Sequence, residues 1–153
     1  MGMLEFLRLS PEFWKAAGQI FLTYVLTLLI GGEREQEEHT TGIRTFPLVG
    51  VASCGFLLTL GVNPHPDDQS RVLQGLITGI GFVGGGAILK DSVKVRGTAT
   101  AASIWNAGAI GAAVAMDHYA IAVAMALVNL FTLRALLPLK MRIDRKGDAD
   151  PRD

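Results

Sequence analysis

Two loops of this chain carry donors that suit a hard divalent cation. His65, Asp67 and Asp68 lie in Asn63-Pro-His-Pro-Asp-Asp-Gln-Ser70, and Asp117 with His118 follows a later apolar run. Mg²⁺ keeps several waters and takes one or two carboxylates, so Asp67, Asp68 and Asp117 are candidate ligands. A solvated turn accounts for the same residues. No Cys/His spacing resembles a zinc site. The single cysteine, Cys54, sits in an apolar run and has no internal disulfide partner. No Ser/His/Asp or Cys/His set points to hydrolysis, and no cofactor is called for. We expect no enzymatic activity.

A second set of polar groups lies inside apolar runs. Asn106 and Asn129 fall near the middles of two successive segments, at similar depth. They are expected to hydrogen-bond across a helix interface, or to face an internal cavity. A third set gathers charges at the ends of apolar runs: Glu33, Arg34, Glu35, Arg44, Lys90, Lys94 and Arg96. Pairing of Glu33 or Glu35 with Arg44 or Arg96 would lock loops together; a solvated basic rim explains them equally well. Gly79-Ile-Gly-Phe-Val-Gly84 matches the dinucleotide pattern G-x-G-x-x-G. That pattern needs a strand before it, a helix opening after it and an acid about 20 residues on. Here apolar residues continue on both sides, and helix packing is the better reading.

These groups need apolar elements to position them. The chain has 153 residues, is 50% apolar and carries zero formal net charge, so nothing suggests nucleic acid. Mean hydropathy is +0.37. Charges fall in clumps that separate long uncharged runs. The reading is an all-α transmembrane bundle with five spans, at about 16–32, 45–62, 72–89, 98–116 and 119–137. Residues 1–15 are expected to form an interfacial helix, and 138–153 a charged tail that frays. No signal peptide is expected, because Gly31-Gly32-Glu33-Arg34 lacks a cleavage pattern. Three basic residues on the side of the N-terminus stand against eleven on the other, which predicts the N-terminus outside and the C-terminus cytoplasmic.

The third run, Val72–Leu89, holds six glycines: Gly75, Gly79, Gly81, Gly84, Gly85 and Gly86. Small residues four apart let membrane helices touch. We expect this segment to be the hub, packed most closely on the alanine-rich fourth run with its Gly108 and Gly111. Gly81→Leu is then expected to disrupt packing. Asp67, Asp68 or Ser70 should cap the helix near Arg71. No acid lies within a span, Glu33 being at a boundary, which counts against a proton-driven transporter.

The motifs together are specific. GGERE at 31–35, GIRT at 42–45 with Leu48-Val49, Arg71 with Gln74, GIGFVGGGAIL at 79–89, and VRGTATAASIW at 95–105 with Ala109-Ile110-Gly111 resemble the MgtC/SapB family of bacterial membrane proteins. The resemblance covers about residues 16–137. Gly85 stands where the family often has Ala, and Thr98-Ala99 where it often has Leu-Thr. The resemblance implies a multi-pass protein of the bacterial inner membrane, linked to growth in low Mg²⁺ and, in pathogens, to survival inside host cells. The resemblance does not carry the virulence activity of longer members over to this chain. Family proteins are often labelled Mg²⁺ transporters, while the best-studied members look like regulators that bind other membrane proteins, including the ATP synthase. Expected partners are therefore the bilayer, other inner-membrane proteins and a second copy of the chain. The alternative is a channel or transporter for Mg²⁺ or another small solute, lined by Asn106 and Asn129.

Overall fold

The computed structural model describes residues 10–38, 42–90 and 95–147. It is all-α apart from one small hairpin: α1 (Pro11–Glu38), α2 (Thr45–Leu58), α3 (Pro66–Gly86), β1 (Leu89–Lys90), β2 (Val95–Arg96), α4 (Thr98–Ala115) and α5 (Tyr119–Gly147). The strands are antiparallel, with Leu89 opposite Arg96 and Lys90 opposite Val95.

Local chemistry sets the helix starts. The Phe13 N–H donates to Ser10 Oγ at 3.1 Å, which caps α1 one residue before Pro11. Helix α3 begins at Pro66, ahead of the expected start near Arg71. His65 is its N-cap, its Nδ1 accepting from the Asp67 N–H at 3.3 Å. Asp67 and Asp68 sit in the first turn, where carboxylates oppose the positive end of the helix dipole.

Five helices are present among the described residues, but they are not five membrane spans. Among the described residues, two helices are long and apolar enough to cross a bilayer: Pro11–Glu33 and Tyr119–Leu136. The expected five-span, multi-pass arrangement and the inner-membrane placement built on it are thereby corrected, and the inside–outside assignment falls with them. The error lies in equating uncharged run length with helix length. Helix α2 has 14 residues, about 21 Å at 1.5 Å per residue, short of a core of about 30 Å. Helix α3 spends its first turns on polar residues and stops at Gly86, leaving Leu89 to the hairpin. Helix α4 is diluted by Thr, Ser, Gly and Asn106.

The two span-length helices do not behave like the core helices of a soluble protein, since less than a quarter of either window is buried. Phe21, Leu48, Phe82, Leu127, Val128 and Phe131 are all exposed. A surface this apolar needs lipid or protein against it.

The hub is α4, not the glycine segment. It packs against each of the other four helices. Ile104, Ala107, Ile110 and Val114 supply much of the core, joined by Ile30, Phe46, Cys54, Ala122 and Ala126 from the other helices. Helix α3, by contrast, buries one residue, Gly84.

Candidate functional site

Three polar constellations and one bare helix face emerge from this packing. The first lies where α1 begins. Gln19, an amide within an apolar run, is buried; its Nε2 donates to Val114 O at 2.9 Å and to Asp117 Oδ1 at 3.1 Å. The acceptor on Val114 belongs to the last turn of α4 and also accepts from the Asp117 N–H at 3.1 Å, so the Gln19 amide is a second donor to it. Asp117 also accepts from Lys15 Nζ (2.7 Å) and from the Tyr119 hydroxyl (2.6 Å). It holds a left-handed backbone, φ 61°, to turn the chain from α4 into α5. Hydrogen bonds from Lys15 and then Tyr119 push the Asp117 carboxyl below its ordinary range.

The second constellation lies at the other end of α1. Arg134 on α5 meets Glu33, with Nη2 and Nε at 2.8 and 2.9 Å from Oε2. The carboxylate side is 15% exposed and the guanidinium side 73%. Glu33 was expected to pair with Arg44 or Arg96; its partner is on neither loop. Arg44 and Arg96 are exposed. The side chains of Arg34 and Glu35 lie outside what the structure describes.

The third is a groove of about 450 Å³ between α4 and α5, whose lining includes Ala102, Ser103, Asn106, Met125, Asn129 and Thr132. The two asparagines share this groove without bonding each other. Asn106 Nδ2 donates to Met125 O at 3.3 Å, while Asn129 Oδ1 accepts from Ser103 Oγ at 3.1 Å.

The expected packing glycines divide into two groups. A Cβ at Gly111 would overlap Gly50 O, and one at Gly108 would overlap the Ile80 side chain. At Gly84 it would lie 3.2 Å from Ala101 O. These three therefore hold helices close. Around Gly75, Gly79, Gly81, Gly85 and Gly86 an added Cβ would meet nothing within 4 Å. Gly75, Gly79, Phe82 and Gly86 recur at helical spacing, and Phe82 is 86% exposed. Gly75 and Gly79 also line a groove of about 420 Å³ with Val49 and Ser53 of α2. Arg71 and Gln74 are exposed at the start of the same helix.

Asp67, Asp68 and Asp117 do not assemble. Among the described residues no group of three His, Cys, Asp or Glu side chains could hold a metal ion. Asp67 sits 3.6 Å from His65 Nδ1, and Asp117 is engaged by Lys15, Gln19 and Tyr119. Sequence reasoning missed Arg134 as the partner of Glu33, and missed what Gln19 binds. The signal for Gln19 was its type, an amide in an otherwise apolar run.

The profile of the MgtC family matches residues 20–142. The chain belongs to the MgtC family. Protein MgtC of Brucella abortus is 33% identical over 132 residues, which is 84% of this chain and 56% of that protein. Protein MgtC of Salmonella typhimurium is 31% identical over 121 residues, covering 79% and 52%. An uncharacterised protein of Synechocystis sp. is 30% identical over 128 residues, covering 84% and 55%. The chain thus spans about half the length of the curated relatives it matches. No solved structure matches it. The matched region takes in α2, α3, α4 and most of α1 and α5, so all three constellations except Lys15 and Gln19 lie within it.

Proposed function

We propose that this MgtC-family chain serves adaptation to low magnesium by binding and modulating other membrane proteins. The link to magnesium comes from the family. The observation that carries the binding reading is the bare stripe of α3. Gly75, Gly79 and Gly86 leave backbone uncovered on the side of the helix away from α4, with the exposed Phe82 ring standing among them. Each glycine in a helix interior costs about 1 kcal/mol relative to alanine. A partner helix laid on that stripe would recover the cost through close backbone contact.

The test pairs two measurements on the intact chain. Co-purification from native membranes should yield a defined membrane partner. The purified protein, alone in liposomes, should move no Mg²⁺. Partner-free Mg²⁺ flux would overturn the binding reading.

A second reading, a path for Mg²⁺ or another small solute, is favoured by one observation: Ser103, Asn106, Asn129 and Thr132 line one groove. It requires that flux exist in the same liposomes and that Asn106→Leu abolish it while the protein stays folded.

A further inference from the structure

One end of the bundle gathers exposed cations with exposed aliphatic side chains beside them. The packing fixes which elements meet there. Gly31 of α1 abuts Gly42 and Ile43, so the chain enters α2 near Glu33. Arg134 reaches Glu33, which brings the last apolar turn of α5 to the same end. Ser103 contacts Asn129 and Asn106 contacts Met125, so α4 runs antiparallel to α5 and begins at that end. A Cβ at Gly97 would overlap Ala87 O, which places the β1–β2 hairpin there too.

Arg44, Lys90 and Arg96 therefore share one end of the molecule. All three are exposed, and none has an ion-pair partner among the described residues. Each has an aliphatic neighbour turned to the outside: Ile43 is 47% exposed, Ile88 40% and Val95 56%. A soluble acidic protein would match the cations but not the exposed aliphatic groups next to them in the chain. The boundary of a bilayer matches both, with phosphate at headgroup depth and acyl chain just below. The Lys15–Asp117 and Glu33–Arg134 pairs supply a scale. Lys15 and Glu33 are 18 residues apart on one helix, about 27 Å at 1.5 Å per residue. That separation is close to the thickness of a hydrocarbon core, about 30 Å.

We propose that this end binds the phosphate headgroups of anionic phospholipid, with Arg44, Lys90 and Arg96 as donors and Ile43, Ile88 and Val95 at the acyl boundary. The inference does not depend on the partner reading of α3, because the two surfaces use different residues.

The test is native mass spectrometry of the full-length chain, released from nanodiscs containing equal phosphatidylglycerol and phosphatidylcholine. The wild type should retain phosphatidylglycerol preferentially. Each cation near an anionic surface contributes about a fivefold preference, so the triple change Arg44→Gln, Lys90→Gln, Arg96→Gln should lower it about a hundredfold. The control Arg71→Gln, at the opposite end of α3, should keep it. Helicity by circular dichroism in phosphatidylcholine checks folding, and if the triple variant is unfolded the three single variants are measured in its place. Inorganic phosphate at matched ionic strength should not displace the lipid. Equal retention of the two lipids by the wild type would overturn the proposal and leave this end to an acidic protein surface. Equal loss in Arg71→Gln would reduce it to nonspecific charge, and full displacement by inorganic phosphate would assign the cations to a soluble anion.

Discussion

Helices α3 and α4 are both rich in small residues, and the structure uses them in opposite ways. On α4, Gly108 and Gly111 sit among Ile104, Ile110 and Val114, all buried. Bulk and bareness alternate, so the helix fills a core and lets α2 and α3 approach its backbone in the same two turns. On α3 the large side chains that pack inward, among them Ile80, lie toward α4, where Gly84 meets Ala101. The remaining glycines look outward. Small-residue content therefore does not say which helix is central. What decides it is whether buried large apolar residues are interleaved with the small ones, as on α4, or whether the large residues that pack inward lie on one side and the other carries glycines with an exposed Phe82, as on α3.

The contrast breaks most sharply at Gly111. A single methyl there collides with the Gly50 carbonyl oxygen and crowds Cys54 N, which is backbone on both counts and has no rotamer to escape into. Gly111→Ala should destabilise the protein by about 3 kcal/mol, measured by unfolding in detergent. A melting temperature equal to wild type would mean that α2 and α4 are not in close contact, and the distinction between the two helices would fail.

A smaller effect tests how α4 is held at its far end. Lys15 and Tyr119 lower the Asp117 carboxyl, so it ionises more readily folded than unfolded. Its contribution is fully present above the ordinary carboxylate pKa near 4 and is lost as pH falls through the lower folded value. The pair is about half exposed, so solvent screening limits it to a few tenths of a kcal/mol. Asp117→Asn should therefore remove a small part of the stability at pH 7 and flatten its loss as pH falls below the ordinary carboxylate range. An acid transition unchanged in that variant would separate this carboxylate from the anchoring of α4, leaving Gln19 as the tie.

The positions of the helices were legible because clumps of charge bracket every apolar run. Their lengths were not. Polar residues can continue a helix, as they do from Glu33 to Glu38 and from Pro66 to Arg71, and apolar residues can leave one, as Leu89 does. That single confusion turned two span-length helices into five. The shared groove of Asn106 and Asn129 could be read from the two-residue link at Asp117-His118, which forces a hairpin and fixes the register. The Glu33–Arg134 pair could not. Its members are 101 residues apart, and their meeting depends on α1 and α5 being neighbours, which no local pattern encodes. Which glycines touch backbone was equally hidden, because spacing reports that residues share a face but not what the face meets.

The smallest expected change in stability carries the most information about that face. Sequence spacing alone makes Gly81→Leu disruptive. The structure gives an added Cβ there nothing within 4 Å, so the leucine should project outward without moving a neighbour. Replacing a helical glycine should even stabilise the isolated protein by up to about 1 kcal/mol. A leucine at Gly79 meets the same open space but stands within the bare stripe, so it would also hold an approaching helix off the backbone. Gly79→Leu is thus expected to melt at or slightly above the wild-type temperature in detergent while recovering several-fold less membrane partner from native membranes. Loss of stability would show that α3 packs within the chain after all, and undiminished partner recovery would show that the open glycines are not where another protein binds.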